Sequence, residues 1–375
     1  MSKTSIPEKI KTQLWTLSAG RCEYRGCNKP LWKDELSMAK MNNAYIAHIV
    51  ADSPDGPRGE EGRSQLLAKS FSNLMLMCDS HHRLIDKEDV DGHPESLLIE
   101  MKKEHEKRIE LLTSLSSSKK THIILYGANI GNQGSPLNYE SAFQAIIPDK
   151  FPTESYGVEL GITNSIIKDK EDFFWELESQ NLERQFKEKV ENLKIHSPIK
   201  SFSAFGLAPQ PLLIKFGTLF NDLYDVQAFQ RHREPETWKW QDETDFDRFN
   251  LIMPNEFDGL PVLNISLSAT ITNDRIEELF KSKICIWTIT HDKPDNDFLK
   301  SKIILSKFRK ICRHFFDIAK AKHGQDNKLH IFPAMPVSAA IEFGRIWMPK
   351  ADMDLIIYDQ NKERNGFYKT IEIKN

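Results

Sequence analysis

Between residues 44 and 86 the apolar positions fall into two short runs. Ala44-Tyr45-Ile46-Ala47 leads into His48 and resumes as Ile49-Val50, and Asn73-Leu74-Met75-Leu76-Met77 leads into Cys78-Asp79-Ser80-His81. Runs of this length, bounded by polar residues, predict two β-strands. His82-Arg83-Leu84-Ile85-Asp86 predicts a short helical segment. A 3.6-residue rhythm then runs from Pro94 to Leu115, with Leu97, Leu98, Met101, Ile109 and Leu112 as its apolar stripe. Ser116-Ser117-Ser118-Lys119-Lys120 reads as a linker, and Thr121 to Gly127 as the first strand of an α/β domain. Residues 1–115 and 121–375 are thus expected to form separate domains, the second in two halves of about 121–250 and 251–375.

The two halves are suggested by self-similarity. Laid over each other at an offset of 332 − 205 = 127 residues, Phe205/Phe332, Pro209/Pro336, Ile214/Ile341, Phe216/Phe343, Gly217/Gly344 and Asp225/Asp352 are identical. Leu219/Ile346 and Phe220/Trp347 are conservative matches. Each copy reads as strand, proline-bearing turn, helix and strand, the last strands being Val226 to Phe229 and Met353 to Tyr358. Trp287, within Ile284 to Thr290, reads as an inward-facing strand aromatic.

Composition changes this picture little. The net charge is −3, and residues 1–120 hold 19 Lys+Arg against 18 Asp+Glu, leaving 32 against 36 for the remainder. Residues 1–50 carry 8 basic and 4 acidic groups, a locally phosphate-attracting balance. Five cysteines in 375 residues imply no disulfide framework. The first residues lack the apolar core of a signal peptide and no run of 18 apolar residues occurs, so a cytoplasmic protein without a membrane span is expected. There is no glycine-rich phosphate loop, which argues against ATP dependence.

The candidate chemistry lies in the front domain. Cys22 and Cys27, with Cys78 and His81, have the ligand types and close-paired spacing of a structural zinc site. Cys285 and Cys312 stand apart, in apolar or helical contexts. Inside the long loop that such a site closes lie His48, near the end of one strand, and Asn73, opening the other; His82 begins the helix after it.

Strand with His, strand with Asn and helix with His resembles the ββα-metal finger of HNH endonucleases, in the zinc-stapled form common in that family. The resemblance implies that His48 takes a proton from a water attacking the scissile phosphate, and that Asn73 holds the imidazole of His48 or its strand. His82 would bind one catalytic divalent cation, Mg²⁺ or another, that stabilises the departing 3′ oxygen. Asp86, one helical turn on, reads either as a second ligand or as a solvated helix acid. Arg58 could meet a phosphate bidentately or hold its own loop. Many members carry an acid or His before the general base, where this chain has Ala47; another acid such as Asp52 would have to serve.

The second copy, Phe332 to Gly344 with Arg345 and Met353 to Asp359, resembles the closing segment of SAVED domains, which fuse two CARF-like Rossmann-type halves and sense cyclic oligonucleotides. Together the two resemblances imply an α+β ββα-metal finger with structural zinc, followed by an α/β domain of two CARF-like halves. They also imply an effector nuclease of CBASS, the bacterial anti-phage systems. In such effectors a cyclic di- or trinucleotide from a partner cyclase binds SAVED, the chains assemble as homo-oligomers (dimer to tetramer), and double-stranded DNA is degraded. Helix N-termini beyond the strand ends suit phosphates, which points to Gln210 in one half and to Pro336 and Ser338 in the other. Arg345, Trp347 and Lys350 are candidates for phosphate contact and base stacking, although Trp347, matched by Phe220, reads more readily as core than as a base platform. The alternative is an ungated HNH restriction endonuclease whose rear domain reads DNA, against which the acidic balance of that domain weighs.

Overall fold

The computed structural model describes residues 4–34, 36–114, 116–129, 137–161, 171–220, 224–242, 246, 248–361 and 366–374. The chain divides into two compact units, Met1–Ser116 and Ser117–Asn375.

In the front unit, helix α1 (Glu8–Leu17) precedes strand β1 (Tyr45–His48), a short helix α2 (Arg63–Leu67) and strand β2 (Leu74–Met77). Helix α3 (Asp79–Arg83) continues for five residues with π-type bonding, and α4 (Glu95–Thr113) follows. β1 and β2 pair antiparallel, with Tyr45 opposite Met77 and His48 opposite Leu74. All four residues of β2 are buried, which is why the run reads as continuously apolar. The stripe expected on α4 is shifted. Leu98, Met101 and Ile109 are buried together with Lys102 and His105, whereas Leu112 is exposed. Polar residues occupy the buried face because they have partners: His105 Nε2 meets the Ser18 carbonyl at 3.0 Å, and Lys102 Nζ lies 2.7 Å from Glu106.

The rear unit is an α/β structure of two sheets. Its first half runs β3 (Lys120–Gly127), α5 (Tyr139–Ile146), β4 (Phe151–Pro152), β5 (Val158–Leu160), α6 (Asp172–Gln185), α7 (Asn192–His196), β6 (Ser201–Leu207), α8 (Gln210–Leu219) and β7 (Asp225–Ala228). The stretch read as a linker is a single turn of 3₁₀ helix, Ser117–Lys119, that runs directly into β3. β3 is flanked by β4, β5 and β6, and β7 lies beyond β6, all parallel. The second half runs β8 (Asn250–Ile252), β9 (Leu260–Ser266), α9 (Asn273–Glu277), β10 (Ile284–Thr290), α10 (Lys302–His323), β11 (Lys328–Ala334), α11 (Val337–Ile346), β12 (Asp354–Asn361) and β13 (Gly366–Ile373). Its sheet has the order β13-β12-β11-β9-β10-β8, parallel inside and antiparallel at both edges. The parallel cores β5-β3-β6-β7 and β10-β9-β11-β12 share one strand order. Trp287 is fully buried from β10.

The 127-residue offset has a structural counterpart. β6 and β11 begin and end 127 residues apart, and so do α8 and α11. The two helices cross at their shared glycines. A Cβ on Gly217 would stand 2.0 Å from the Ile341 carbonyl oxygen, and one on Gly344 would stand 2.0 Å from that of Ile214. The matched Ile and Gly pairs therefore mark one pseudo-symmetric backbone contact, around which Phe216, Phe220, Phe343 and Trp347 fill a core common to both halves.

Candidate functional site

The four soft donors converge. Cys22 and Cys27 flank a turn in which Gly26 takes a positive φ, as does Asn28 just beyond it, and the Glu23 carboxylate accepts from the Leu76 amide at 2.5 Å, holding that turn on β2. Cys78 caps α3 and His81 sits in its first turn. The ligand atoms of Cys22, Cys27, Cys78 and His81 lie within 4.8 Å of one another. A tetrahedral ion with Zn–S of ~2.3 Å and Zn–N of ~2.0 Å sets neighbouring S and N about 3.5 Å apart. His81 Nδ1 is 3.2 Å from Cys78 Sγ and 3.7 Å from Cys22 Sγ, so the residues fit such an ion. Burial pushes the Cys22 thiol well up and the His81 imidazole down from their ordinary pKa values. A bound dication would favour the thiolate and the neutral imidazole that ligation needs. A second layer supports the cage: the His81 ring stacks on Tyr24 at 4.1 Å, Tyr24 Oη meets His93 Nε2 at 2.9 Å, and His93 Nδ1 meets the Asp89 carbonyl at 2.6 Å.

His48 ends β1 and is 8% exposed. Its Nε2 lies 2.9 Å from the Ala68 carbonyl. A carbonyl only accepts, so Nε2 carries a proton, and in the neutral ring the lone pair that a general base requires lies on Nδ1. Asn73 is buried at the end of a 3₁₀ turn just before β2 rather than inside the strand. Its amide clamps the chain beyond β1: Oδ1 accepts from the Val50 amide at 2.8 Å, while Nδ2 donates to Val50 O at 2.9 Å and Leu67 O at 3.2 Å. Of the two expectations for Asn73, it is the strand and not the imidazole that it holds.

His82 and Asp86 face each other one turn apart, with Nε2 3.3 Å from Oδ2. Adjacent ligands of an octahedral cation at ~2.1 Å lie about 3.0 Å apart, so the pair can share one. Burial is the main cause lowering the His82 pKa, against the raising effect of Asp86, and this direction favours the neutral, ligating form. Tyr45 stacks on His82 at 5.0 Å. Among the described residues, only the Cys22 cluster gathers three or more metal donors, so no further acid joins His82 and Asp86. Ala47 is buried in the apolar core, and Asp52 lies in the turn beyond β1.

Arg58 does not present a free fork to a phosphate. Its side chain is 8% exposed; Nε donates to Ile49 O at 2.6 Å, Nη1 to Ile85 O at 2.7 Å and Nη2 to Asp86 Oδ1 at 2.8 Å. It ties the residue after His48 to the helix bearing His82 and holds Asp86 by Oδ1, while Oδ2 faces His82. The turn signals around it, Gly56-Pro57-Arg58-Gly59, mark a tight loop but not these targets, which are distant in sequence.

The candidates in the rear unit fare differently. The first turn of α11 is filled by its own chain, with the Ser338 amide and hydroxyl both donating to Gln230 Oε1 at 3.2 and 2.9 Å. Ser338 and Pro336 are buried, and Gln210 Oε1 accepts from the Met335 amide at 3.0 Å. Trp347 is core: it is 6% exposed and its indole donates to Met353 O at 2.9 Å, so it offers no base platform. Arg345 pairs with the buried Glu342 at 2.6 Å, while its buried Nε has no partner among the described residues. Only Lys350 is exposed. A helix N-terminus needs its free amides balanced by some acceptor, and here the Gln230 side chain provides one. Gln230, remote from Ser338 in sequence, is the residue that the pattern does not reveal.

A duplicated parallel α/β unit thus follows a small unit with a Cys/His cluster. Residues 179–373 match the model of the SMODS-associated and fused to various effectors sensor domain, SAVED, and the chain belongs to that family. Among solved structures, the Cap4 SAVED/CARF-domain containing receptor of Acinetobacter baumannii with the cyclic trinucleotide 2′3′3′-cAAA is 14% identical, with a TM-score of 0.45, over 74% of this chain and 56% of that one. The Cap4 receptor of Moraxella osloensis is 13% identical, with a TM-score of 0.40, over 74% and 54%. This chain spans just over half the length of those receptors. No curated protein matches it in sequence. No described helix is long and apolar enough to cross a membrane.

Proposed function

We propose that this protein is a cyclic-oligonucleotide-activated, metal-dependent HNH endonuclease that degrades double-stranded DNA as an anti-phage CBASS effector. The observation that carries the reading is the joining of a SAVED family member to a unit in which His48 keeps Nδ1 open while His82 and Asp86 face each other 3.3 Å apart. His48 takes the proton of the attacking water at Nδ1. Its other nitrogen is fixed by Ala68, its strand exit by Asn73 and Arg58. His82 and Asp86 would hold a divalent cation, Mg²⁺ or another, which supplies charge stabilisation at the leaving oxygen. Cys22, Cys27, Cys78 and His81 would hold a structural zinc ion.

The deciding assay incubates purified protein with Mg²⁺ and plasmid, with and without a panel of cyclic di- and trinucleotides. Cleavage is expected only with a matching ligand; strong cleavage with none added would remove gating and favour the restriction-enzyme alternative. Activation by assembly requires that the ligand bind the assembled state more tightly than the free chain. Light scattering should therefore report a larger particle on ligand addition, and an unchanged size would contradict assembly.

The zinc reading has its own test. Cys22→Ser or Cys78→Ser should unfold the front unit, because ligation free energy is folding free energy in small zinc-braced units. The expected result is loss of bound zinc together with rapid proteolysis of residues 1–116 while the rear unit survives. A stable, zinc-free front unit would show the cage to be ordinary buried thiols.

A further inference from the structure

Besides Leu66 and Leu112, the exposed large apolar side chains of the front unit gather in one short segment: Trp32, Leu36, Met38, Met41 and Tyr45, with Leu36 97% exposed. The segment is a built hairpin. Lys33 bridges Lys40, the Asp34 amide donates to Ala39 O at 2.9 Å, Met41 to Trp32 O at 3.2 Å and Asn43 to Leu31 O at 2.8 Å. At its tip Asp34 Oδ1 accepts from the Ser37 amide and hydroxyl, both at 2.8 Å, and Met38 takes a positive φ of 58°. The hydrogen bonds hold Leu36 and Met38 outward instead of letting them fold back.

Two further features say what this hairpin meets. Lys29 and Lys40 are exposed on it, and Lys33 lies over the Trp32 ring at 5.0 Å. Its return arm leads straight into β1, where Tyr45 stacks on His82. Beside it, a groove of about 570 Å³ is lined by Glu8, Lys11, Thr12, Trp15, Thr16 and Asn42, with Glu8 and Lys11 paired at 2.7 Å. The groove's hydroxyls and amide suit sugar and phosphate, and a tip that carries Leu36 and Met38 between Lys33 and Lys40, with its Asp34 engaged by Ser37, suits insertion at a base step.

We propose that the hairpin of residues 29–43 is a clamp for duplex DNA, with Lys29, Lys33 and Lys40 on phosphates and Leu36 and Met38 as an apolar wedge. This rests on the nuclease reading given above. The clamp delivers the strand to His82 through Tyr45.

The test uses full-length protein carrying His48→Ala, so that bound DNA is not cut, and a fluorescent duplex followed by anisotropy across a salt series, with and without the cyclic nucleotide panel. Every phosphate that the protein no longer neutralises lowers the slope of log affinity against log salt by roughly 0.9, so changing all three lysines to Gln should lower it by about 2.7. Met38→Ser should weaken binding about tenfold at constant slope, since it removes one apolar side chain that the bound duplex would bury. Unchanged zinc content would confirm that the variants fold. If the lysine variant binds with the parent's slope and affinity, the clamp is wrong and the nuclease reading stands. If the parent binds no duplex under any condition, the nuclease reading falls and the clamp with it. If DNA binding is unchanged but the variants' solution mass drops, the hairpin is an interface between copies and the proposal is overturned.

Discussion

Replacing His48 with alanine is expected to lower ligand-activated DNA cleavage by about 10²–10⁴-fold, the usual range for loss of a general base. The side chain also has a structural duty, because its Nε2 proton serves the buried Ala68 carbonyl. Leaving that oxygen without a donor costs about 1–3 kcal/mol, so His48→Ala should also melt earlier. His48→Asn separates the two effects. An amide can restore a donor near Ala68 yet cannot act as a base near neutral pH. Both variants should be inactive, but only the alanine form should lose stability beyond the cavity left by a smaller side chain. Zinc content and the melting of the front unit report the structural part, and plasmid nicking rates report the chemical part. Cleavage by either variant at the parent rate would remove His48 from the reaction and the HNH assignment with it.

How legible this site is in the sequence depends on how local its interactions are. Cys78, His81, His82 and Asp86 lie within nine residues of one helix start, and spacing alone puts them on adjacent turns. The strands are legible because β2 is a buried apolar run and β1 an equally short, half-buried one ending in His48. Arg58 is not, since its acceptors Ile49, Ile85 and Asp86 are gathered only by the fold. Nor is the filling of the α11 N-terminus by Gln230, which lies 108 residues before Ser338. The stripe on α4 misleads for a related reason. Periodicity finds apolar residues such as Leu112, whereas the buried face takes Lys102, 3.9 Å from Glu23, and His105, bonded to Ser18, and no local pattern records these partners on other elements.

The second large effect is expected in the rear unit. Gly217→Ala and Gly344→Ala each place a methyl group 2.0 Å from a carbonyl oxygen of the facing helix, a separation that real Cβ atoms do not reach. In isolation Ala is the better helix former by about 1 kcal/mol, so propensity predicts stabilisation at both positions. The steric clash opposes this and wins. α8 and α11 must move apart, opening the core formed by Phe216, Phe220, Phe343 and Trp347. Overpacking at backbone atoms should cost about 3 kcal/mol or more per variant, a drop of roughly 6–12 °C for a unit of this size. Because the two glycines face each other's helix across one crossing, the costs should be similar, and the second should be smaller once the first has separated the helices. A double-mutant cycle should therefore give a total below the sum by at least about 1 kcal/mol. Tryptophan fluorescence can follow the transition, since Trp175, Trp238, Trp240, Trp287 and Trp347 all belong to this unit. Additive costs would mean that the two glycines act at separate places, and unchanged melting would remove the close crossing that makes the repeated Gly217 and Gly344 intelligible.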